Sequence, residues 1–391
     1  MSRKMISTSL VFLTVTLSAG LAAGQSVLQS ELGRRPAATI AVGNHGRVVL
    51  AAPDDSGTTL VVVGPKGLKT KHRFERRFLL AGVVFPDGRI LVGDTANKGL
   101  KVGASVDLIL DPKGEKIVWR APHFGSWSYD TTGRYAVWTP CLYCASEVPE
   151  SAIGKEAAKY VGKGLAIAIE DTTRPATGKL SLLRGPSMEK TMRNAGPLDY
   201  QVEALSGRRA LVVLNGVPYV FDGRRLHLEL LDPAGEVAPV NRAVAVSPSG
   251  NRIWFELYPR PGRGQYAVWD LPSERIIWES DANVPFRKVV ERELGVSLSG
   301  RNVNSARRWF VGENALAFMY PGVGVVTVSL NTHRMAKPLT WPKGRKLAEP
   351  ARPPKVPAGL VKIAVSGDGR TVATLDQGEG VVTLGALGSL D

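Results

Sequence analysis

The sequence predicts an all-β protein: a seven-bladed β-propeller of four-stranded antiparallel blades, with short helical or loop insertions. Three observations lead there. An apolar strand, a polar turn with glycine and a second apolar strand recur along the chain. The turn glycines fall at a blade-length period. Gly (42) and Pro (26) are abundant, which favours many turns and argues against a helical bundle. The 391 residues are 44% hydrophobic and 22% charged, which excludes a disordered chain and provides for a real core.

The chain opens with an address. Arg3 and Lys4 precede an apolar run from Met5 to Leu17, and Ala22, Ala23 and Gly24 are small enough for signal-peptidase cleavage. The run is short of the roughly 20 residues that span a bilayer. Residues 1–24 are expected to be a signal peptide. The mature protein, residues 25–391, is expected to be one propeller domain. It is expected to be exported, periplasmic or secreted, and not membrane-spanning.

The repeat is explicit. It reads IAVGNHGRVVLAA at 40–52, AGVVFPDGRILVG at 81–93 and SWSYDTTGRYAVWT at 126–139. It returns as VEALSGRRALVVL at 202–214, AVAVSPSGNRIWFEL at 243–257 and VKIAVSGDGRTVATL at 361–375. Gly46, Gly88 and Gly133 are 42 and 45 residues apart, and Gly207 and Gly250 are 43 apart. A period of roughly 40–45 is the length of one four-stranded blade. Gly133 to Gly207 leaves room for one blade plus an insertion. Gly250 to Gly369 leaves room for two, with a degenerate copy at 307–330 filling the gap. The last blade shows three strands, at 361–366, 370–375 and 379–385. A segment near 25–36 is expected to supply its fourth, because an open ring leaves unpaired edges.

A second half-motif reads as an outer hairpin: SVDLILDPKGEKIVWRA at 105–121, QYAVWDLPSERIIWES at 265–280 and HLELLDPAGEVAPV at 227–240. Trp119 and Trp278 recur at its outer strand and are expected to be buried against a neighbouring blade. Trp138, Tyr266 and Trp269 receive the same structural reading. Asp87, Asp111, Asp232 and Asp270 fall at turns, where backbone bonding accounts for them. These turns and hairpins resemble the WD40-like and quinoprotein-like β-propeller superfamily. That resemblance implies the fold. It also implies a choice among scaffolds, ligand binders and quinone-dependent dehydrogenases. The quinone-stacking tryptophan and the adjacent-cysteine pair of the dehydrogenases find no match, so no cofactor is expected.

Two insertions interrupt the blades, at about 140–164 and 283–306. Each has a stretch of helical spacing, at 151–161 and in VPFRKVVERELG at 284–295. Each either binds a partner at a rim or covers a blade end. Cys141 and Cys144 form Cys-Leu-Tyr-Cys at the start of the first insertion. A disulfide suits an exported protein and is the reading taken. A redox CxxC would want a helix start, and a metal site two more ligands. The five histidines show no ligand spacing, and no GxSxG, HExxH or P-loop is present.

Lys+Arg 50 against Asp+Glu 35 gives +15. The basic residues cluster at Arg73, Arg76 and Arg77 and pair at Arg208-Arg209, Arg224-Arg225 and Arg307-Arg308, with more in a proline-rich connector at about 337–358. Solubility explains such charge, and so does contact with an anionic partner. Export excludes nucleic acid, so the expected partner is a protein or an anionic envelope component. The leading function is a non-catalytic exported scaffold that binds a protein or ligand. The alternative is a quinone- or metal-dependent oxidoreductase or hydrolase with its site on the propeller axis.

Overall fold

The structure is a computed structural model. The structure describes residues 39–64, 67–94, 106–122, 126–139, 165–179, 181–183, 200–232, 234–237, 239–295, 297–298, 307–320, 324–335, 361–376 and 381–387. These residues are almost entirely β and form seven antiparallel sheets, each a meander of consecutive strands.

Blade one holds β1 (Thr39–Val42), β2 (Val48–Asp54), β3 (Gly57–Gly64) and β4 (Gly67–Glu75). Blade two holds β5 (Leu79–Val84), β6 (Ile90–Asp94), β7 (Val106–Leu110) and β8 (Ile117–Arg120). Blade three holds β9 (Ser126–Tyr129), β10 (Tyr135–Thr139), β11 (Leu165–Asp171) and β12 (Ser181–Leu183). Blade four holds β13 (Tyr200–Leu205), β14 (Arg209–Leu214), β15 (Val217–Asp222) and β16 (His227–Leu230). Blade five holds β17 (Val240–Val246), β18 (Arg252–Leu257), β19 (Tyr266–Asp270) and β20 (Arg275–Glu279). Blade six shows β21 (Arg307–Val311), β22 (Ala315–Tyr320) and β23 (Gly324–Ser329). The last blade shows β24 (Val361–Val365), β25 (Thr371–Asp376) and β26 (Val381–Ala386). The predicted strand pairs and their glycine turns are found in every one of these sheets.

Side chains alternate across a strand, and each blade packs on two neighbours, so both faces must be apolar. That is why β2, β3 and β14 read as near-continuous aliphatic runs. In β18, Trp254 faces blade six while Phe255 faces blade four. Seven apolar clusters fill the seams. Val49 and Leu60 meet Leu79 and Ile90 between blades one and two. Phe85 and Trp119 meet Ala136 between two and three. Val137 and Ile167 meet Ala204 and Val212, and Leu211 meets Phe255 and Trp269. Trp254 and Trp278 meet Phe318 between five and six, and Ala317 meets Val372 beyond it. The seventh cluster joins Leu50 and Val61 to Ala373 and Leu375, so the last sheet packs on the first.

Trp119, Trp138, Tyr266, Trp269 and Trp278 are all buried in these seams, in their expected structural role. One expected hairpin is corrected. Residues 227–240 are not two paired strands: β16 ends blade four, and the chain then crosses to β17 of blade five. Asp232 makes the turn that misleads. Its carboxylate accepts the amides of Glu236 and Val237, just as Asp111 accepts those of Glu115 and Lys116.

Helix α1 (Phe286–Leu294) lies in the second insertion, as its spacing predicts, and is the only α-helix among the described residues. Phe286 and Val290 are buried in the five–six cluster. The helix therefore covers that seam. Glu291 accepts the Leu298 amide and pairs with Arg287 and Lys288, which holds its carboxyl down to about 2. Among the described residues no helix is long and apolar enough to cross a membrane. The signal peptide, the closing segment 25–36, Cys141, Cys144, the 151–161 stretch and the connector at 337–358 lie outside the described residues.

Candidate interaction face

Strand direction divides the molecule into two ends. In a four-strand meander the first and third turns lie at one end. The second turn and the crossover to the next blade lie at the other. First strands pack on neighbouring first strands, as β1 does on β5 and β24, so they line the axis. We refer to the first as the turn end and the second as the loop end.

The turn end is short and tied. Each first turn carries a glycine at positive φ, from 56° at Gly312 to 87° at Gly88. After six of the seven an arginine follows at once or one residue later: Arg47, Arg89, Arg134, Arg208, Arg252 and Arg370; Glu313 and Asn314 follow Gly312. Several of these arginines reach the next blade. Arg89 donates to Thr172 Oγ1 (2.9 Å) and to the Gly133 carbonyl (3.2 Å). Arg252 donates to Asn314 Oδ1 at 2.8 Å, and Glu313 accepts both the amide (2.6 Å) and hydroxyl (2.8 Å) of Ser249. The Gly312 amide donates to the Asp368 carbonyl at 2.8 Å, and the Asp368 amide to Asn44 Oδ1 at 3.2 Å.

Other contacts cross the axis. Thr131 of blade three donates to the Pro248 carbonyl of blade five. A Cβ placed on Gly367 would lie 3.6 Å from the Thr131 carbonyl oxygen and 3.8 Å from both Asn44 Oδ1 and Pro86 Cδ. Turns from five blades thus meet and close the axis at this end.

Seven of the arginines singled out from sequence do not form one patch. Arg73, Arg76 and Arg77 sit at the loop end of blade one. Arg208, Arg209, Arg224 and Arg225 sit at the turn end of blade four. Arg73 clamps Asp54 at 2.6 Å, which with the Ser56 bonds holds that carboxyl well below its usual range. Arg77 ties to Asp94 at 2.6 Å across the one–two crossover. Arg209 donates to the Ser206 carbonyl at 3.1 Å, and Arg225 lies 3.8 Å from Asp222. Arg76, Arg208 and Arg224 are exposed.

The loop end is different in kind. Four of the five chain connections longer than ten residues leave and re-enter the sheets here, from Asp94 to Val106, Thr139 to Leu165, Leu183 to Tyr200 and Glu279 to Arg307, whereas that from Ser329 to Val361 leaves at the turn end. Its described surface carries Tyr258, 43% exposed, followed by exposed Pro259, Arg260, Pro261 and Gly262. On the axial wall β5 exposes Leu80 and Val83. A polar belt joins the first strands of blades three to five. Ser128 donates to Glu203 at 2.8 Å, Gln201 donates to Glu203 at 2.9 Å, and the Gln201 amide both donates to and accepts from Ala243.

Register brings a second cluster to this end. Arg242, Glu256 and Tyr266 stand opposite one another on β17, β18 and β19. Arg242 pairs with Glu256 at 2.7 Å, and Arg308 of blade six lies over the Tyr266 ring at 5.6 Å. Burial pushes the Tyr266 hydroxyl up to about 12. Of these residues the sequence singles out Tyr266, as structural, and Arg308, as one of a basic pair; Arg242 and Glu256 carry no signal in it. Among the described residues no group of three His, Cys, Asp or Glu is placed to hold a metal.

One half-buried acid lies between blades two and three. Tyr129 donates to Asp107 at 3.0 Å, and desolvation pushes the Asp107 carboxyl up to about 6. The fold therefore holds this proton more tightly than the unfolded chain does. Stability must fall as pH rises from about 4 to about 6 by roughly 2–3 kcal/mol from this group. Urea unfolding at the two pH values will show it. Asp107→Asn should remove this component and raise stability at pH 7; an unchanged pH slope would count against it.

No family model matches the chain, and no curated protein does. Solved structures show a loose likeness. BamB from Moraxella catarrhalis shares 11% identity at a TM-score of 0.40, over 90% of this chain and 83% of that one. The β-propeller domain of Cps50 (Swd1) from Myceliophteria thermophila shares 9% at 0.48, over 90% and 97%. A chain of the mitotic checkpoint complex shares 12% at 0.46, over 92% and 97%. The propeller assignment rests on the sheet order and the seam clusters described above.

Proposed function

We propose that this is an exported, non-catalytic propeller of seven blades that holds a protein partner at its loop end. The asymmetry of the two ends carries the reading. Interlocked turns close the axis at one end, leaving little relief for a partner to grip. The other end gathers most of the long connections, an exposed Tyr-Pro-Arg-Pro loop and apolar side chains on the axial wall. Tyrosine and arginine are the residues that most often dominate protein contacts. Export rests on residues 1–24.

Site-specific photocrosslinking tests the face. A photoreactive residue replacing Tyr258 should capture a discrete partner in the envelope of the producing cell. The same residue replacing Arg224 at the turn end should not. Equal capture from both ends, or from neither, would overturn the proposal.

A further inference from the structure

We infer that the loop-end rim of the seam between blades two and three takes the ammonium of a partner's lysine side chain on Asp107. This rests on the loop-end reading and names the chemistry of the partner.

Strand register builds the site. Leu80, Gly93 and Asp107 stand opposite one another on β5, β6 and β7. The Ala121 amide, just past β8, donates to the Asp107 carbonyl at 2.9 Å and ends the row. Directly opposed residues share a face, and this row faces blade three. Two residues along β7, Ile109 lies in the two–three cluster with Ala136. Gly93 and Ala121 flank Asp107, so no long side chain of its own blade covers the carboxylate. Across the seam, β9 turns Trp127 and Tyr129 toward the same cluster. Tyr129 donates to Asp107 Oδ2 at 3.0 Å. Trp127 lies one step nearer the loop end on the same face of β9. It is half-buried and set edge-on to Trp119 at 5.5 Å.

The surroundings of Asp107 do not account for its charge. Its carboxylate accepts the Tyr129 hydroxyl and, among the described residues, pairs with no cation, in a chain whose Lys+Arg total is 50. Desolvation pushes the carboxyl up to about 6, so at neutral pH it is ionised at a cost to the fold. A cation that arrives with a partner offsets that cost only on binding, which is how a site for a ligand differs from a structural ion pair. Tyr129 occupies Oδ2 and leaves Oδ1. A single acceptor suits a compact ammonium better than a guanidinium, whose fork wants two. Trp127 brings an indole ring to the charge, and Leu80, 37% exposed, brings apolar surface for the lysine stem.

The probe is a fluorescein-labelled short peptide alternating lysine and alanine, titrated by anisotropy at neutral pH and physiological salt. It should bind, and its acetyl-lysine counterpart should bind about tenfold more weakly or worse. An arginine counterpart should bind roughly threefold more weakly. Asp107→Asn should weaken binding about tenfold or more while raising the urea midpoint at neutral pH, so its loss of binding cannot come from unfolding. Glu274→Gln, at an exposed acid of the turn end, should leave binding unchanged. Equal binding of the acetyl-lysine peptide, equal or tighter binding of the arginine peptide, full binding by Asp107→Asn, or an equal loss with Glu274→Gln would each overturn the assignment. Capture from Tyr258 alongside a flat lysine-peptide titration would sink the lysine site and leave the loop-end reading standing. Failure of crosslinking would sink the latter by itself.

Discussion

Trp254→Ala will lower stability by about 3–5 kcal/mol, read as a fall in the urea midpoint. Trp254 is fully buried and packs edge-on to Phe318 at 4.6 Å and Tyr266 at 5.8 Å. It thus joins two sheets, and its loss opens a cavity at a seam where neither strand is free to collapse. The indole nitrogen is buried without a hydrogen-bond partner. That atom costs desolvation and returns no bond. Trp254→Phe should therefore cost only about 1–2 kcal/mol, because it keeps most of the packing and removes the orphan donor. Equal losses for the two variants would show that packing between blades is not what the residue supplies.

The fold was legible because the propeller writes its geometry twice. Two-faced burial makes strands of unbroken aliphatic residues, and the tight first turn demands glycine. Both signals repeat at blade length. The misread segment at 227–240 shows the limit of such patterns. Asp111 and Asp232 make the same local turn, yet after one the chain pairs back and after the other it crosses to a new blade. Only tertiary packing decides between these outcomes.

An arginine follows six of the seven first-turn glycines, Gly312 being the exception, and it counts in the sequence as net charge unless its position is read. Its place in the repeat is the signal that would have found it. Part of the +15 thereby becomes structural: Arg89 and Arg252 bridge blades, and Arg73 and Arg77 are held by acids. The rim of the five–six seam is legible only in fragments, Tyr266 as a core aromatic and Arg308 as one of a basic pair. Arg242, Glu256, Tyr266 and Arg308 come from four strands in two blades, and strand register alone assembles them. Charge clusters along the chain, such as Arg224-Arg225, need not be clusters in space.

Gly369→Ala will be at least about 3 kcal/mol more damaging than Gly46→Ala, although the two glycines share a place in the repeat. Gly46 has φ 75° and Gly369 has φ 70°, so alanine meets about the same 1–2 kcal/mol of left-handed strain at each. Their surroundings differ. A Cβ on Gly46 would have nothing within 4 Å. A Cβ on Gly369 would lie 1.7 Å from the backbone carbonyl oxygen of Phe310. Backbone cannot yield as a side chain does, so β21 must shift. The shift breaks the bond from Trp309 Nε1 to the Gly369 carbonyl (2.9 Å) and that from the Gly312 amide to the Asp368 carbonyl (2.8 Å). Those two bonds join blade six to the last blade, next to the seam where the last sheet packs on the first. Strain at Gly46 stays local, whereas strain at Gly369 acts on the closure of the ring. Parallel urea titrations of the two variants measure the difference, and equal midpoints would mean that the turn end does not lock the blades together.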